Sequence, residues 1–453
     1  MNWQGKRVLV IGAGRSGQAA VGKLKSLGAD VYLTDQQPQE SLSGIDALGL
    51  DQNKLFLGAM AQFSAVKPEG LILSPGVSPQ IAVIREAIAA GVPVWSEVEL
   101  ALFDCPAQCI GITGTNGKTT TTALVGELVK RSGRSVVVAG NIGLPLCGQV
   151  DHLDEQGIVV AELSSFQLEF IGQTRFAIAV MLNITPDHLD RHGSLEEYMA
   201  AKARIFENQR PQDAAILNWD DARIRKMASG IKGRVIYFSS AEVLENGFGV
   251  DGRRLVYSEQ GKRIELAVCD ELQLRGRHNW ENIMAASAVA REIGLSWEQI
   301  ADGLRAFRGV EHRQEIVGTW DGILYVNDSK GTNPDAAEKA LQAFDEPLVL
   351  IAGGKNKGLT FDPFMRVAKE RVKSLILLGM AAADMEKAAQ KAGIQRILRA
   401  DDFPDGVRKA ISEAAPGDVV LLSPACTSWD MFKSYEERGE LFKTLVRRHY
   451  KEP

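Results

Sequence analysis

Residues 111–120 are GITGTNGKTT, and this stretch decides the fold of the middle of the chain. The apolar run before it predicts a strand and TTALVGELVKR after it predicts a helix, so a glycine-rich turn joins strand to helix. Backbone N–H groups in such a turn, together with the helix dipole, attract phosphate. Lys118 is placed to reach nucleotide phosphates and the Thr119 hydroxyl to ligate Mg²⁺. We therefore predict an ATP-binding loop made of Gly114, Thr115, Asn116, Gly117, Lys118, Thr119 and Thr120.

The match to the strict phosphate-loop pattern is imperfect. That pattern has glycine where this chain has Ile112, and Gly111 stands one position early. An ordinary glycine-rich turn without a ligand is therefore the alternative. Gly-Lys-Thr at a helix start is unusual without phosphate, which favours the nucleotide-binding interpretation.

Composition narrows the class of protein. A chain of 453 residues is too long to fold around a single hydrophobic core, so two to four domains are expected. A composition of 45% hydrophobic and 24% charged residues is typical of globular proteins. A net charge of −5 argues against a nucleic-acid partner. The five scattered cysteines form neither a disulfide framework nor a zinc motif, which favours a reducing compartment. We expect a cytoplasmic monomer with no signal peptide and no membrane insertion.

Apolar runs alternate with helical patterns along most of the chain, which predicts an α/β protein with parallel sheets. We expect three domains: a Rossmann-like N-terminal domain over residues 1–96, a central P-loop-type ATP-binding domain over 97–309, and a Rossmann-like C-terminal domain over 310–453. Alternating polar and apolar residues around Glu259-Gln260-Gly261 predict a β-hairpin within the central domain.

A second glycine motif, GAGRSG at residues 12–17, follows the first predicted strand, and Asp35 ends the next one. By itself this is a complete dinucleotide fingerprint and predicts NAD(P). The same glycines also accept the pyrophosphate of a UDP-sugar, and the chain shows no hydride-transfer apparatus. We interpret the first domain as a pyrophosphate-binding module for a substrate, with an oxidoreductase and a ligand-free turn as alternatives. Its candidate site residues are Gly14, Arg15, Ser16, Gly17, Asp35, Ser74, Pro75 and Gly76.

Polar residues follow three strands predicted in the central domain: Asn141 after SVVVAG, Glu162 after GIVVA and His188 after FAIAVML. The carboxyl ends of parallel strands share one edge, where ligands bind. A carboxylate suits Mg²⁺, whereas an imidazole is a less usual ligand, so Glu162 is the stronger candidate. For His188, which stands near Asp187 and Asp190, a hydrogen-bonded loop histidine is the alternative. Composition alone favours a solvated helix position for Lys202.

Taken together, TGTNGKTT, GNIG, AELSSFQLE, NITPDHLDRH and the lysine of YMAAKARIF resemble the Mur ligase family across the whole chain. Four C-terminal segments resemble the D-glutamate-adding members: residues 311–313 (EHR), 327–336, 353–358 and 421–439. The resemblance implies ATP-dependent ligation of D-glutamate to UDP-N-acetylmuramoyl-L-alanine through an acyl phosphate, in the synthesis of peptidoglycan precursors. Another ligase of this superfamily, of the alanine-adding or folylpolyglutamate type, is the close alternative, and a non-catalytic nucleotide sensor is a more distant one.

The resemblance also implies residue roles. Glu162 would ligate one Mg²⁺ and His188 a second, supported by a carbamylated Lys202, with Thr119 near the metal. ATP would further contact Asn282, Arg313 and Asp328. Asn141 and Gln167 would touch the substrate or the phosphates. Tyr435 stands where a phenylalanine is expected, and Lys355 is expected at the surface. D-Glutamate would be held by Lys330, Thr332, Lys357 and Ser428, beside Tyr435.

Overall fold

The computed structural model describes residues 2–356 and 358–451, which contain three β-sheets. The first sheet is formed by β1 (Arg7–Ile11), β2 (Asp30–Asp35), β3 (Leu55–Leu57), β4 (Gly70–Leu73) and β5 (Val94–Ser96). Its strands are parallel, in the order β3-β2-β1-β4-β5. The strand order reverses at β1, so the turns after β1 and β4 lie together at the switch point where ligands bind in such sheets. The accompanying helices are α1 (Arg15–Ser26), α2 (Phe63–Val66), α3 (Ala82–Ala89) and α4 (Glu97–Leu102).

The second sheet has nine strands in the order β14-β13-β12-β11-β10-β9-β6-β8-β7. They are β6 (Gln108–Thr113), β7 (Val136–Gly140), β8 (Ile158–Glu162), β9 (Ile178–Met181), β10 (Ala214–Asn218), β11 (Arg234–Phe238), β12 (Gly247–Asp251), β13 (Arg254–Glu259) and β14 (Lys262–Val268). The helices of this stretch of chain are α5 (Lys118–Lys130), α6 (Ser165–Leu168), α7 (Leu189–His192), α8 (Leu195–Ala203), α9 (Ala222–Met227), α10 (Arg277–Glu292) and α11 (Trp297–Ala306).

The six strands from β7 to β11 in this order are parallel, and β8 is buried along its whole length, as expected of strands covered on both faces. In register, Ile112 pairs with Glu162 and Thr113 pairs with Met181, so the loops that follow β6, β8 and β9 leave the same edge. The predicted hairpin is confirmed: β13 and β14 are joined through Gln260 and Gly261, which both have positive φ.

The third sheet is formed by β15 (Glu315–Trp320), β16 (Ile323–Asn327), β17 (Leu348–Gly353), β18 (Val372–Leu378), β19 (Ile397–Arg399) and β20 (Val419–Leu422). The order is β15-β16-β20-β17-β18-β19, with β15 antiparallel and the rest parallel. The helices here are α12 (Pro334–Leu341), α13 (Asp362–Arg371), α14 (Ala382–Ala392), α15 (Phe403–Glu413) and α16 (Tyr435–His449). The three-domain α/β architecture predicted from the sequence is confirmed.

The chain packs as two compact units. One contains the first two sheets and takes in Glu281–Leu304, and the other comprises Val268–Trp280 and the chain described from Arg305 onward. The first two sheets share a continuous apolar core because α4 is buried between them. Both oxygens of Glu99 accept backbone N–H groups, from Gln173 and Thr174. None of the helices in the described residues is long and apolar enough to cross a membrane.

Candidate active site

The glycine-rich turn lies between β6 and α5, as the sequence predicts. Gly114 has a φ of 153° and Gly117 a φ of 86°, a backbone conformation in which side chains are strained. A Cβ atom on Gly117 would also overlap the carboxamide of Asn282, which contacts the start of α5. The conformation and the close packing of this turn therefore require glycine at both positions.

The segment that follows β9 holds the turn in place. The Thr115 N–H donates to the Asn183 carbonyl at 2.9 Å, and the Asn116 N–H donates to Asn183 Oδ1 at 2.8 Å. In return, the Thr185 N–H donates to Thr115 Oγ1 at 3.0 Å. The loop that carries His188 therefore begins against the backbone of the glycine-rich turn.

Two lysine amines meet at one carbonyl of the turn. Lys118 Nζ donates to the carbonyls of Gly114 at 3.0 Å and Thr115 at 2.8 Å. Lys202, from α8, donates its Nζ to the same Gly114 carbonyl at 2.8 Å. Lys202 thus lies beside the glycine-rich turn and not on a solvated helix face, which corrects the expectation from composition.

The Lys202 side chain is 1% exposed, and its Nζ lies 4.7 Å from the centre of the Tyr198 ring. Burial, reinforced by the charge of Lys118, lowers the pKa of the Lys202 amine well below its usual range, and the charges of Asp187 and Glu162 oppose this shift only in part. The structure therefore places a buried lysine amine with a lowered pKa at the edge of the glycine-rich turn.

Glu162, the last residue of β8, is 2% exposed. Its Oε1 accepts a hydrogen bond from Asn141 Nδ2 at 2.9 Å, whereas its buried Oε2 has no hydrogen-bond partner among the described residues. A buried carboxylate oxygen without a donor is strongly disfavoured unless a cation or a proton compensates it. The site therefore fits a hard cation such as Mg²⁺, for which carboxylate oxygen is a preferred ligand.

His188 lies on the same edge but is less fixed. Its backbone has a φ of 52°, its side chain is 50% exposed, and its Nε2 is 3.6 Å from Asp187 Oδ2. Its ring contacts Phe166 at 4.9 Å between centroids. Among the described residues, three close metal-ligating side chains occur in the other unit, at Glu311, His312 and Glu440. The side chain of Asp190 lies outside the described part. His188 as a ligand stays a prediction.

The sequence did not single out the buried neighbour of His188. His192 is 7% exposed, its Nε2 lies 2.9 Å from Ser165 Oγ, and burial lowers its pKa. The Gln167 side chain is also hydrogen-bonded within its own segment, because it forms a capping box with Ser164 at the start of α6. Both residues shape the loop after β8.

The glycine motif of the first domain is hydrogen-bonded to Asp35, the acidic residue that ends β2. Asp35 Oδ2 accepts the Ala13 N–H at 2.7 Å and Oδ1 accepts the Gln37 N–H at 2.8 Å. Ser74 Oγ donates to the Gly12 carbonyl at 3.1 Å, which joins the turns after β1 and β4. Arg15 and Gly14 are exposed at this edge. Asp35 therefore anchors the loop, in addition to any contact that it makes with a ligand.

Arg191 connects the two edges of the first unit and was not singled out from the sequence. Its Nη1 donates to the carbonyls of Pro75 at 3.2 Å and Val77 at 2.7 Å, and its Nη2 donates to Glu169 at 3.1 Å. Its guanidinium also lies 4.0 Å from the centre of the Phe166 ring. The turn after β4 is thereby fixed to the loops of the central sheet.

In the second unit, candidate residues follow β16 and β20, which are neighbours. Asp328 is fully buried and accepts hydrogen bonds from Ser423 Oγ at 2.7 Å and the Gln314 N–H at 3.3 Å. Burial raises its pKa to about 6, and the charge of Arg313 opposes this shift. A direct contact between Asp328 and ATP stays a prediction.

Three of the candidate D-glutamate residues, Lys330, Thr332 and Ser428, lie in the same loops, and Tyr435 begins α16. Lys330 Nζ lies 5.4 Å from the centre of the Tyr435 ring, Ser428 is buried, and Thr332 is half-buried. Lys355 is exposed, as expected, while Lys357 lies outside the described residues. These loops are brought together by the sheet, although they are about a hundred residues apart in sequence.

Three sequence families match successive parts of the chain: the Mur ligase MurD-like N-terminal domain over residues 6–96, the Mur ligase middle domain over 112–290, and the Mur ligase glutamate ligase domain over 312–426. The UDP-N-acetylmuramoylalanine–D-glutamate ligase of Desulfitobacterium hafniense is 64% identical over 100% of both chains. The chain belongs to the Mur ligase family. The enzyme of the same name from Pelotomaculum thermopropionicum is 48% identical to this Mur ligase over 97% of both chains.

Solved structures support the fold of this Mur ligase. The MurF ligase of Thermotoga maritima in complex with ADP aligns with a TM-score of 0.61 at 19% identity, over 98% of this chain and 96% of that one. The UDP-N-acetylmuramate–alanine ligase MurC of the same organism aligns with a TM-score of 0.60 at 20% identity, over 99% of this chain and 100% of that one.

Proposed function

We propose that this Mur ligase joins D-glutamate to UDP-N-acetylmuramoyl-L-alanine and converts ATP to ADP and phosphate. The names of relatives that are 41% to 64% identical over nearly the whole chain support this substrate pair. The observation that carries the proposal is the convergence of Lys118, Lys202 and the glycine-rich turn, with the unpaired oxygen of Glu162 at the same sheet edge.

The proposed reaction has two steps. A carboxylate oxygen of the alanine attacks the γ-phosphorus of ATP, the bond to ADP breaks, and an acyl phosphate forms. The neutral amine of D-glutamate then attacks the acyl carbon, phosphate leaves, and the amine loses a proton as the amide forms. The first step brings an anion onto an anionic phosphoryl group, so Lys118 must leave the Gly114 and Thr115 carbonyls and turn toward the phosphates.

Glu162 Oε2 and the Thr119 hydroxyl are the groups that we propose to hold Mg²⁺, with His188 and Lys202 for a second ion. Bound Mg²⁺ would neutralise charge on the transferring phosphoryl group. We further propose that Lys202 is carbamylated: its amine nitrogen bonds to the carbon of CO₂ and a proton is released. Carbamylation requires the unprotonated amine, which burial and the lowered pKa of Lys202 favour, and the resulting anion would be attracted to Lys118.

The remaining candidates belong to the substrates. We propose that the UDP-sugar lies at the switch point of the first sheet, against Gly14–Gly17, Asp35 and Ser74–Gly76, with Asn141 and Gln167 at the central edge. Lys330, Thr332, Lys357, Ser428 and Tyr435 are proposed for D-glutamate, and Asn282, Arg313 and Asp328 for ATP. The domain bounds, the monomeric state and the cytoplasmic location stay predictions.

The test is phosphate release from ATP in the presence of UDP-N-acetylmuramoyl-L-alanine, with D-glutamate or L-glutamate added in parallel. Release that requires the UDP-sugar and D-glutamate, and not L-glutamate, is the expected result. Release with alanine and UDP-N-acetylmuramate would favour the alanine-adding alternative, and release with a folate substrate would favour the folylpolyglutamate type. Tight NADH binding without any phosphate release would contradict the proposal.

A further inference from the structure

Two loops of the second unit are locked side by side. They follow β16 and β20, whose last residues Asn327 and Leu422 are paired in register. Besides the bond between Ser423 and Asp328, the Ala425 N–H donates to the Gly331 carbonyl at 2.9 Å. One loop carries Lys330 and the other carries Ser428, so the geometry between these loops sets the distance between two proposed D-glutamate contacts.

Arg438, from the first turn of α16, inserts between these loops. Its Nε donates to Ser329 Oγ at 2.9 Å, and its Nη2 donates to the carbonyls of Ser329 at 2.8 Å and Cys426 at 3.3 Å. Ser329 Oγ in turn donates to the Tyr435 carbonyl at 2.7 Å. Arg438 and Ser329 thus join the two loops to α16. Each of the three segments bears a proposed D-glutamate residue: Lys330 next to Ser329, Ser428 two positions after Cys426, and Tyr435 itself.

The charge of Arg438 is buried with little local compensation. The side chain is 1% exposed, and its Nη1 has no hydrogen-bond partner among the described residues. Burial lowers its pKa to about 10, with Cys426, Asp430 and Asp328 acting in the opposite direction, so the guanidinium is still cationic at neutral pH. Its three bonded acceptors are two carbonyls and a hydroxyl, and no carboxylate. Such a buried cation is unfavourable for folding, and a neutral side chain of similar shape would be less unfavourable at this position.

We propose that Arg438 is a positioning residue for the amino-acid substrate of this ligase. It fixes the Ser329 and Cys426 turns so that Lys330 and Ser428 face one dicarboxylate, and it places a positive charge behind them. Arginine suits this role because its planar fork bonds several acceptors at once, which a lysine ammonium on a flexible stem does not reproduce. This inference rests on the proposed function, because it takes D-glutamate as the ligand of these loops.

The experiment compares Arg438→Met, Arg438→Lys and Ser329→Ala with the unchanged enzyme in the phosphate-release assay. We expect Arg438→Met to raise the KM for D-glutamate by roughly tenfold or more, while the KM values for ATP and the UDP-sugar stay within about twofold. Arg438→Lys restores the charge but not the fork and should recover part of the loss. Ser329→Ala keeps the charge, removes the two hydrogen bonds of the Ser329 hydroxyl (to Arg438 Nε and the Tyr435 carbonyl), and should raise the same KM by roughly threefold. Arg447→Met is the matched control, because Arg447 is exposed on the same helix.

Thermal unfolding identifies variants that fold. If Arg438→Met does not fold, the KM values of Arg438→Lys and Ser329→Ala test the positioning role. Folded variants whose KM for D-glutamate is unchanged, or whose three KM values rise together, would overturn the positioning role and leave the proposed function standing. An unchanged enzyme whose phosphate release does not depend on D-glutamate would instead overturn both.

Discussion

The two glycine-rich turns of this protein each stand beside a carboxylate that ends a neighbouring strand, and the fold treats the two carboxylates differently. Both oxygens of Asp35 accept backbone N–H groups, one from within the turn after β1. Glu162 accepts one hydrogen bond through Oε1, and its buried Oε2 accepts none from the described residues. An acid whose oxygens are all bonded stabilises a loop, whereas a buried carboxylate oxygen without a donor is suited to bind a cation.

The largest expected effect concerns the amine beside Glu162. We expect Lys202→Ala to lower kcat by roughly 10³-fold, because it removes a group proposed to become an anion at the metal site. A short-chain carboxylate such as formate should restore part of the activity, since it can enter the space left by the side chain. Phosphate release measured with and without formate checks this.

Lys226→Ala, at an exposed lysine of α9, is the control and should keep full activity in both conditions. Full activity of Lys202→Ala without formate would contradict the carbamate role and would weaken the contrast between the two turns.

Glu162→Gln tests directly whether Glu162 and Asp35 have different roles. The substitution preserves shape and removes the charge, so we expect kcat to fall by roughly 10²-fold to 10³-fold while stability stays equal or rises. Activity titrated against Mg²⁺ and urea unfolding in the absence of metal provide the two readouts. A loss of stability with unchanged Mg²⁺ dependence would mean that Glu162 is a structural acid like Asp35.

Asp328 shows that hydrogen bonds alone do not make a carboxylate favourable in the interior. Its pKa is raised to about 6, so the folded state binds the proton more tightly than the unfolded state does. The contribution of Asp328 to stability is therefore fully present below pH 4 and is lost as pH rises through 6, by about 3 kcal/mol for a shift of this size. Asp328→Asn should remove this decline, which urea unfolding at pH 4 to 7 measures as a difference between the two proteins. Parallel pH profiles would contradict it.

The smallest effect is expected at Asp35. Asp35→Asn keeps one acceptor oxygen and replaces the other by an NH₂ donor, which faces a backbone N–H. We expect a loss of about 1–2 kcal/mol in the free energy of unfolding. The KM for the UDP-sugar should rise by a few fold and the KM for ATP should not change, because the altered turn is in the first domain. Unchanged stability would show that these two hydrogen bonds do not anchor the turn.

Several site features were accessible from sequence because they depend on local chemistry. Gly114 and Gly117 adopt positive φ where the pattern predicts a tight turn, and the polar residue that ends β8 is the buried Glu162. The short strands β3 and β19 and the antiparallel β15 gave no clear pattern, because edge strands of three to six residues alternate little. Lys202 was identified as a site residue only through the resemblance to the Mur ligase family, because the local sequence around a helical lysine does not reveal whether its side chain is buried.

The sequence by itself determined the two glycine-rich turns, the alternation of strands and helices, and the family, since turn chemistry and periodicity act over a few residues. Only the tertiary structure decided that Lys202 is buried against the Gly114 carbonyl, that Arg191 fixes the turn after β4, and that Arg438 joins the loops after β16 and β20. These contacts unite residues that are far apart along the chain. Burial, which sets the charge state and the partners of each group, is a property of packing that no local pattern contains.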